Sequence, residues 1–323
     1  MSYNVFIASR SYSKYSPETK KFLQNQDCKL EYNKLDKVYK EEDLLKIVDK
    51  YDCLVVGVDE VTEKVIKKGD NLKVIAKNGI GVDNINLAAA DKAGIPVVNI
   101  PGANSQSVAD LSVALMLSLA RAIPVVNNLT KSGNWQRIIG RELWGKKVGI
   151  IGTGNIGRLI AKRVKDGFNC EILAFDIDIN QNFAKDPAVS YFEFNEVIEK
   201  SDFISLNVPL TSATKNLIDK EELKNMKETA YLINTARGGV VNEDELYQAL
   251  KNKEIAGAAC DVFAKEPPGE HKLFELDNFL ATSHIGAFTY ETNQRAGMGL
   301  AKDIVAVLKG EKPENLVNNP DNT

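Results

Sequence analysis

A chain of 323 residues is too long for one small core and is expected to form about two domains. It is 44% hydrophobic and 26% charged, the balance of a globular protein, and a net charge of −3 leaves no basic footprint for nucleic acid. The four cysteines, Cys28, Cys53, Cys170 and Cys260, form no CxxC pair and lie in or beside apolar stretches, which points to buried reduced thiols rather than disulfides or a metal site.

The chain opens MSYNVFIASR, with no basic segment leading into an apolar core, so no secretory signal is read. The most apolar helical stretch, SVALMLSLA, is too short and interrupted to cross a bilayer, and the cytoplasm is the expected compartment, with no membrane partner. Residues 5–8, 53–58, 74–76 and 97–99 read as short apolar strands, with amphipathic stretches over 17–24 and 41–50 among them. Ser16-Pro17-Glu18 predicts a helix start: a cap residue, proline at the first helical position, then an acid. Continuous apolar strands separated by helices predict a parallel sheet covered on both faces.

Residues 105–121 predict a long helix that is apolar around most of its circumference, to be buried between domains or subunits. A polar region over 127–142 follows. A second series of strands then begins at Lys147: 148–151, 172–175, 203–206, 231–233, 256–259 and 279–281. Six strands with helices between them suit one complete doubly wound domain. The last helix, over 290–309, has no strand after it. Packed back on the first domain, it makes that domain discontinuous: 1–101 with 290–323, around a second domain at 102–289. The tail PENLVNNPDNT reads as a loose end.

The stretch KKVGIIGTGNIGRLIAKRV places Gly152, Gly154 and Gly157 between an apolar strand and a helix, the context a dinucleotide fingerprint requires. Glycines there let the backbone approach a pyrophosphate, and the helix N-terminus supplies free N–H groups. The next strand, EILAFD, ends at Asp176, 19 residues past Gly157. A carboxylate there accepts the hydroxyls of an adenosine ribose and repels a 2′-phosphate, so NAD is expected rather than NADP.

Ligands of open α/β sheets bind outside the carboxyl ends of the strands. The last three strands of the second series run into Thr235-Ala236-Arg237-Gly238-Gly239, into Asp261 with Glu266 soon after, and into His284-Ile285-Gly286. Oxidising a secondary alcohol requires removal of its proton as hydride leaves, a task for a histidine, whose ordinary titration lies near neutrality. His284 is therefore the candidate acid–base group, Glu266 the carboxylate that orients it, and Arg237 the planar cation that grips a substrate carboxylate and polarises the neighbouring oxygen. The other histidine, His271, reads as a polar loop residue.

The stretches GIGVDNINLAAADKAGIPVVN, NTARGGVVNEDEL, AACDVFAKEP and SHIGAFTYET, with the glycine loop, cover nearly the whole chain, which resembles the D-isomer-specific 2-hydroxyacid dehydrogenase family. The resemblance implies an α/β fold of two Rossmann-like, doubly wound parallel-sheet domains with an active-site cleft between them. It implies Arg237, Glu266 and His284 as the catalytic residues and the loop Asn78-Gly79-Ile80-Gly81 as the substrate-carboxylate site, acting through backbone amides. It places cofactor contacts on Asn155, Ile156, Asp176, Val208, Pro209, Thr214, Thr235, Ala236, Arg237, Asp261, His284 and Gly286. It also implies a homodimer formed through the region 105–121.

Within that family, IGVDNINLAAADKAGI and PGANSQSVADL look most like the phosphoglycerate dehydrogenases, which implies oxidation of 3-phosphoglycerate to 3-phosphohydroxypyruvate, toward serine, without a regulatory domain. Three features depart from that pattern. Val56-Gly57-Val58-Asp59-Glu60 carries acids where a phosphate-gripping arginine is common, leaving Lys77 as one cation; Asp110 stands for a longer acid; Ser283 stands for proline. Hydroxypyruvate, glyoxylate or a branched 2-keto acid are the alternatives. An NAD(H)-binding corepressor-like scaffold is the reading of another class. Formate or phosphite oxidation is disfavoured because the formate enzymes carry glutamine where Glu266 stands.

Overall fold

Two parallel sheets absorb the apolar runs of the sequence. The computed structural model describes residues 2–12, 16–35 and 37–320. The chain divides into one unit made of the residues up to Asn104 together with those from Thr289 onward, and a second unit, Ser105–Phe288.

The first unit holds β1 (Tyr3–Ile7), β2 (Cys28–Tyr32), β3 (Cys53–Val56), β4 (Val74–Lys77) and β5 (Val97–Val98), in the order β2-β1-β3-β4-β5 with every neighbouring pair parallel. Alternate side chains serve opposite faces, as the pleat demands. Phe6, Leu54 and Ile75 join a core with Leu44, Val48 and Val65 on one face. Val5, Ile7, Val55 and Val74 join Leu23, Leu300 and Ile304 on the other. The latter face is covered by the helices Pro17–Asn25 and Tyr290–Leu308, which pack on each other. Each fully buried Leu or Ile stabilises this arrangement by roughly 1.5–3 kcal/mol.

Three expectations need correction here. The stretch 41–50 is not one helix: Glu41–Leu44 gives way to a 3-10 turn at Val48–Lys50, with Lys46 and Ile47 donating to carbonyls three residues back. The tail is not loose from Glu314 to Asn319, and residues 321–323 lie outside the described residues. Leu316 bridges Val98 antiparallel, Val317 donates to the Val97 carbonyl at 2.8 Å, and the Asn318 side chain accepts from Val97 N and donates to Ile95 O. β5 is an edge strand whose open N–H and C=O groups take whatever extended chain reaches them. Finally, β2 was absent from the expected strands, because CKLEY alternates with polar residues and lies at the sheet's other edge.

The second unit holds β6 (Lys147–Ile151), β7 (Glu171–Phe175), β8 (Val189–Tyr191), β9 (Phe203–Leu206), β10 (Tyr231–Asn234), β11 (Gly257–Cys260) and β12 (Phe279–Ala281), in the order β12-β11-β10-β9-β6-β7-β8. All pairs are parallel. The seventh strand, β8, is a three-residue edge strand with one buried side chain, too short to show a period. The chain leaves β6 toward β7 and returns to β9 on β6's other side, so the order switches there, which is where such sheets bind ligands. Helix Ser105–Ala120 is buried within this unit. It lies on helix Asn155–Phe168 and against β10, β11 and β12, with Leu115 and Met116 in the core.

Candidate active site

The glycine loop joins β6 to helix Asn155–Phe168 at the switch point. Gly152 has φ +91°, and a Cβ there would stand 2.6 Å from the Asn207 carbonyl oxygen. A Cβ on Gly157 would stand 2.0 Å from the Gly152 carbonyl oxygen, so the third glycine is what lets the helix start so close to the strand. A Cβ on Gly154 would meet nothing within 4 Å. The middle glycine therefore borders open space, and the amides of Asn155 and Ile156, at the first turn, have no intrahelical acceptor.

Asp176 follows β7 at the same edge. Its Oδ2 accepts from Thr153 N at 2.6 Å and Thr153 Oγ1 at 3.0 Å, and its Oδ1 accepts from Asp178 N at 3.2 Å. A carboxylate has about four acceptor positions, so Oδ1 keeps capacity for one further donor. Arg158 ties the loop down from the helix, donating to Thr153 O at 2.7 Å and Asn155 Oδ1 at 2.9 Å. An open space at Gly154, free helix-end amides and a strand-end carboxylate fit a dinucleotide. Gly154, Asn155 and Ile156 would hold its pyrophosphate and Asp176 its adenosine ribose.

The remaining residues assigned to the cofactor divide. Val208 and Pro209 follow β9, where Thr214 Oγ1 donates to the Pro209 carbonyl at 2.5 Å and accepts from Thr211 N at 2.8 Å, closing a turn. Thr235 is buried and its hydroxyl meets Ser112 Oγ of helix Ser105–Ala120 at 2.8 Å. Ala236 N donates to Asn234 Oδ1 at 3.1 Å, and Asn234 Nδ2 donates to Arg237 O at 3.0 Å, so one asparagine shapes the whole turn. Arg237 is exposed after β10, with Nη1 donating to Ala236 O at 2.7 Å.

β10, β11 and β12 are adjacent and parallel, so Arg237, Asp261 and His284 emerge at one edge. His284 Nδ1 lies 2.7 Å from Glu266 Oε2. Glu266 Oε1 accepts from Phe263 N at 3.0 Å, which fixes the carboxylate from both sides. With Nδ1 engaged, the His284 Nε2 edge is available for proton exchange. The ring is held by backbone as well: His284 has φ +55°, an uncommon conformation for a residue with a side chain. The buried Asp261 carboxylate maintains it, accepting Thr282 Oγ1 at 2.5 Å, Ile285 N at 2.9 Å and Gly286 N at 2.9 Å, while the Asp261 carbonyl accepts His284 N at 2.9 Å. A cavity of about 730 Å³ opens beside the pair, with Pro267, Pro268, Phe274 and Ile285 in its wall.

In the first unit, the loop Asn78-Gly79-Ile80-Gly81 leaves β4. Asn78 Nδ2 donates to Ser9 Oγ at 2.9 Å and Ser11 Oγ at 3.1 Å, and among the described residues the Ile80 and Gly81 amides have no hydrogen-bond acceptor. Lys77 is buried and donates to the Gly57 carbonyl and to Asn84 Oδ1; burial lowers its pKa. Asp59 is likewise buried, accepting Tyr39 N at 2.7 Å and Gly57 N at 2.9 Å. The cation read as a phosphate ligand is thus committed to holding its own loop.

Sequence reasoning missed a second histidine–carboxylate pair. His271 Nε2 lies 3.1 Å from Glu243 Oε2, both largely buried. Only the short distance from Glu266 to His271 along the chain hinted at it. No group of three or more potential metal-ligating side chains gathers among the described residues. Among them, no single helix is long and apolar enough to cross a membrane.

The model of the D-isomer-specific 2-hydroxyacid dehydrogenase NAD-binding domain matches residues 113–286, more than half of the chain and the unit that carries the glycine loop. The chain belongs to the D-isomer-specific 2-hydroxyacid dehydrogenase family. It is 45% identical over 284 residues to a D-3-phosphoglycerate dehydrogenase of Methanocaldococcus jannaschii, covering 87% of this chain and 54% of that protein. It is 42% identical over 274 residues to a hydroxypyruvate reductase of Thermotoga maritima, covering 83% and 88%. The chain thus spans about half the length of the D-3-phosphoglycerate dehydrogenase it matches. Among solved structures, D-lactate dehydrogenase of Aquifex aeolicus, complexed with NAD and lactic acid, superposes with a TM-score of 0.82 at 30% identity over 98% of this chain and 100% of that one. The Ser105–Phe288 unit is accordingly the family's NAD-binding domain, and NAD its cofactor.

Proposed function

We propose that this protein is an NAD-dependent dehydrogenase that interconverts a D-2-hydroxy acid and its 2-keto acid. The observation that carries the reading is the 2.7 Å contact between His284 Nδ1 and Glu266 Oε2, which leaves the opposite ring nitrogen to exchange a proton. Bound NAD supplies the acceptor or donor of hydride. In the reductive direction His284, protonated and steadied by the Glu266 carboxylate, gives its Nε2 proton to the substrate oxygen; in the oxidative direction it takes that proton back. Arg237 polarises the same oxygen and pairs with the carboxylate. The free Ile80 and Gly81 amides make the Asn78–Gly81 loop a candidate carboxylate site within its own unit. The remaining cofactor contacts read from the family, Val208, Pro209, Thr214 and Gly286 among them, belong to this proposal. Turnover of a panel of 2-keto acids with NADH tests it: no oxidation of NADH by any of them refutes the assignment.

The substrate is a small unphosphorylated 2-keto acid, hydroxypyruvate or glyoxylate. Lys77 is committed to Gly57 and Asn84, and Asp59 and Glu60 would repel a phosphate at that loop. The second reading, 3-phosphoglycerate, has the 45% identity to a D-3-phosphoglycerate dehydrogenase in its favour. A large preference in kcat/KM for 3-phosphohydroxypyruvate over hydroxypyruvate decides for the second.

The active form is a homodimer, with the contact downstream of the helix first expected to make it. Helix Ser105–Ala120 is already covered by its own unit, whereas helix Ile123–Lys131 buries no residue. Trp135, Ile139 and Trp144 are 80%, 100% and 62% exposed, an apolar surface that a second copy covers. A monomer mass in sedimentation equilibrium at micromolar protein excludes the dimer.

A further inference from the structure

Glu243 opens helix Glu243–Lys251, yet the helix does not need its carboxylate. The N-cap work is done by Asn242, whose Oδ1 accepts from Asp244 N and Glu245 N. The Glu243 side chain instead leaves the helix. Its Oε1 accepts Ala264 N at 2.7 Å, and its Oε2 meets His271 Nε2 at 3.1 Å. His271 Nδ1 accepts from Leu273 N at 3.4 Å, so the ring proton of the neutral form lies on Nε2 and is donated to Glu243. The two bonds bracket the segment 264–271, which contains Glu266.

The peptide next to that anchor is a junction. Phe263 N donates to Glu266 Oε1, and Glu266 Oε2 contacts His284. A Cβ on Gly238 would stand 1.9 Å from the Phe263 carbonyl oxygen, so the turn that carries Arg237 is seated directly on the same peptide. The Phe263 ring packs on His271 at 5.9 Å and Phe274 at 5.6 Å between centroids. The Arg237 turn, Glu266 and, through Glu266, the His284 ring all contact residues 263–264, and Glu243 is the charged group that ties Ala264 to helix Glu243–Lys251.

We propose that Glu243, with His271, is a positioning pair for the reaction: it sets the Phe263–Ala264 backbone so that Glu266 and Arg237 are in place. The proposal rests on the dehydrogenase reading above. Released from Glu243, the 263–266 backbone is free to shift by about 1 Å, and a misplacement of that size near reacting groups lowers turnover about 100-fold.

The test compares wild type with Glu243→Ala, Glu243→Gln and His271→Ala. It uses NADH oxidation by hydroxypyruvate and glyoxylate, NADH affinity from fluorescence quenching, thermal midpoints, and hydrogen–deuterium exchange of the 263–266 amides. Glu243→Gln keeps a carbonyl acceptor for Ala264 N but presents an amide NH2 to the His271 donor. Expected for Glu243→Ala are a fall in kcat of about 100-fold, NADH affinity within about twofold of wild type and faster exchange at 263–266; Glu243→Gln regains about tenfold of the loss. A kcat for Glu243→Ala within about threefold of wild type overturns the proposal, as does a loss accounted for entirely by a smaller folded fraction. Should Glu243→Ala not fold, the same two results in Glu243→Gln and His271→Ala decide it. A wild-type protein that reduces no 2-keto acid refutes the dehydrogenase reading instead; the exchange measurement then judges the anchor alone, and unchanged 263–266 protection in the variants ends it.

Discussion

Asp261 holds His284 in a left-handed backbone conformation. Its carboxylate takes the hydroxyl of Thr282 and the amides of Ile285 and Gly286, and its carbonyl takes the amide of His284 itself. Three donors converge on one buried side chain, so the charge is well compensated and the turn is held in one shape. Asp261, which reads from the family as a cofactor contact, thus accepts two of these bonds on Oδ1 and one on Oδ2.

Asp261→Asn replaces one acceptor oxygen by an NH2 that faces a donor. The loss of a buried hydrogen-bonded charge of this kind costs about 1–3 kcal/mol. That corresponds to a fall in Tm of roughly 2–12 °C for a unit of this size. Because the histidine turn loosens, kcat falls more than the affinity for NADH. Calorimetry and steady-state kinetics on the same preparation check both, and an unchanged kcat contradicts the role given to the turn.

His284→Ala removes the proton carrier, and general acid–base catalysis typically contributes 10²–10⁴-fold, so a loss of about 10³ in kcat is expected with NADH binding retained. Glu266→Gln keeps an acceptor for Phe263 N but no longer stabilises a charged ring, and a loss of about 10- to 100-fold is expected. Undiminished turnover in His284→Ala removes the assigned group.

Asp176 is the partner of Thr153 and, in the proposed function, the acceptor for the adenosine ribose. Asp176→Ala should weaken NADH binding by about 1.5–3 kcal/mol, the worth of a hydrogen-bond pair to a charged group, while NADPH gains relative to NADH because the repelling carboxylate is gone. Fluorescence titration with both cofactors measures the ratio. A ratio that does not move contradicts the placement of the ribose.

All four thiols are buried, and burial pushes the Cys28 and Cys170 thiols up to about 11 and the Cys53 and Cys260 thiols higher than the usual thiol range. The thiolate is the reactive form. The native protein is therefore expected to show no rapid reaction with a thiol reagent near pH 8, and four equivalents on unfolding in denaturant. Rapid labelling of the native chain would place at least one thiol at the surface.

The legible part of this protein was its buried part. β3, β4, β6, β9 and β10 are continuous apolar runs, and a strand covered on both faces has no alternative to such a sequence. The edge strands β2 and β8 escaped because one side of each meets solvent, and their polar residues resemble loops. The glycine loop was legible for a steric reason: only glycine tolerates a carbonyl 2.0 Å from where a Cβ would stand at Gly157. That Arg237, Asp261 and His284 emerge at one sheet edge was legible because each follows a strand of a parallel set.

Which polar groups spend their hydrogen bonds on which partners was not written in the order of residues. Lys77 suited a phosphate by its charge and position, and only the folded chain showed two of its three donors given to Gly57 and Asn84. His271 looked like a loop residue until Glu243, 28 positions away, was found beside it. The sequence by itself determined the buried strands of both sheets and the dinucleotide loop, because burial and backbone sterics leave each of those positions few choices. The tertiary structure decided which charges are free to act and which are used to hold a turn, because a hydrogen bond is settled by distance and direction between groups that the chain brings together from far apart.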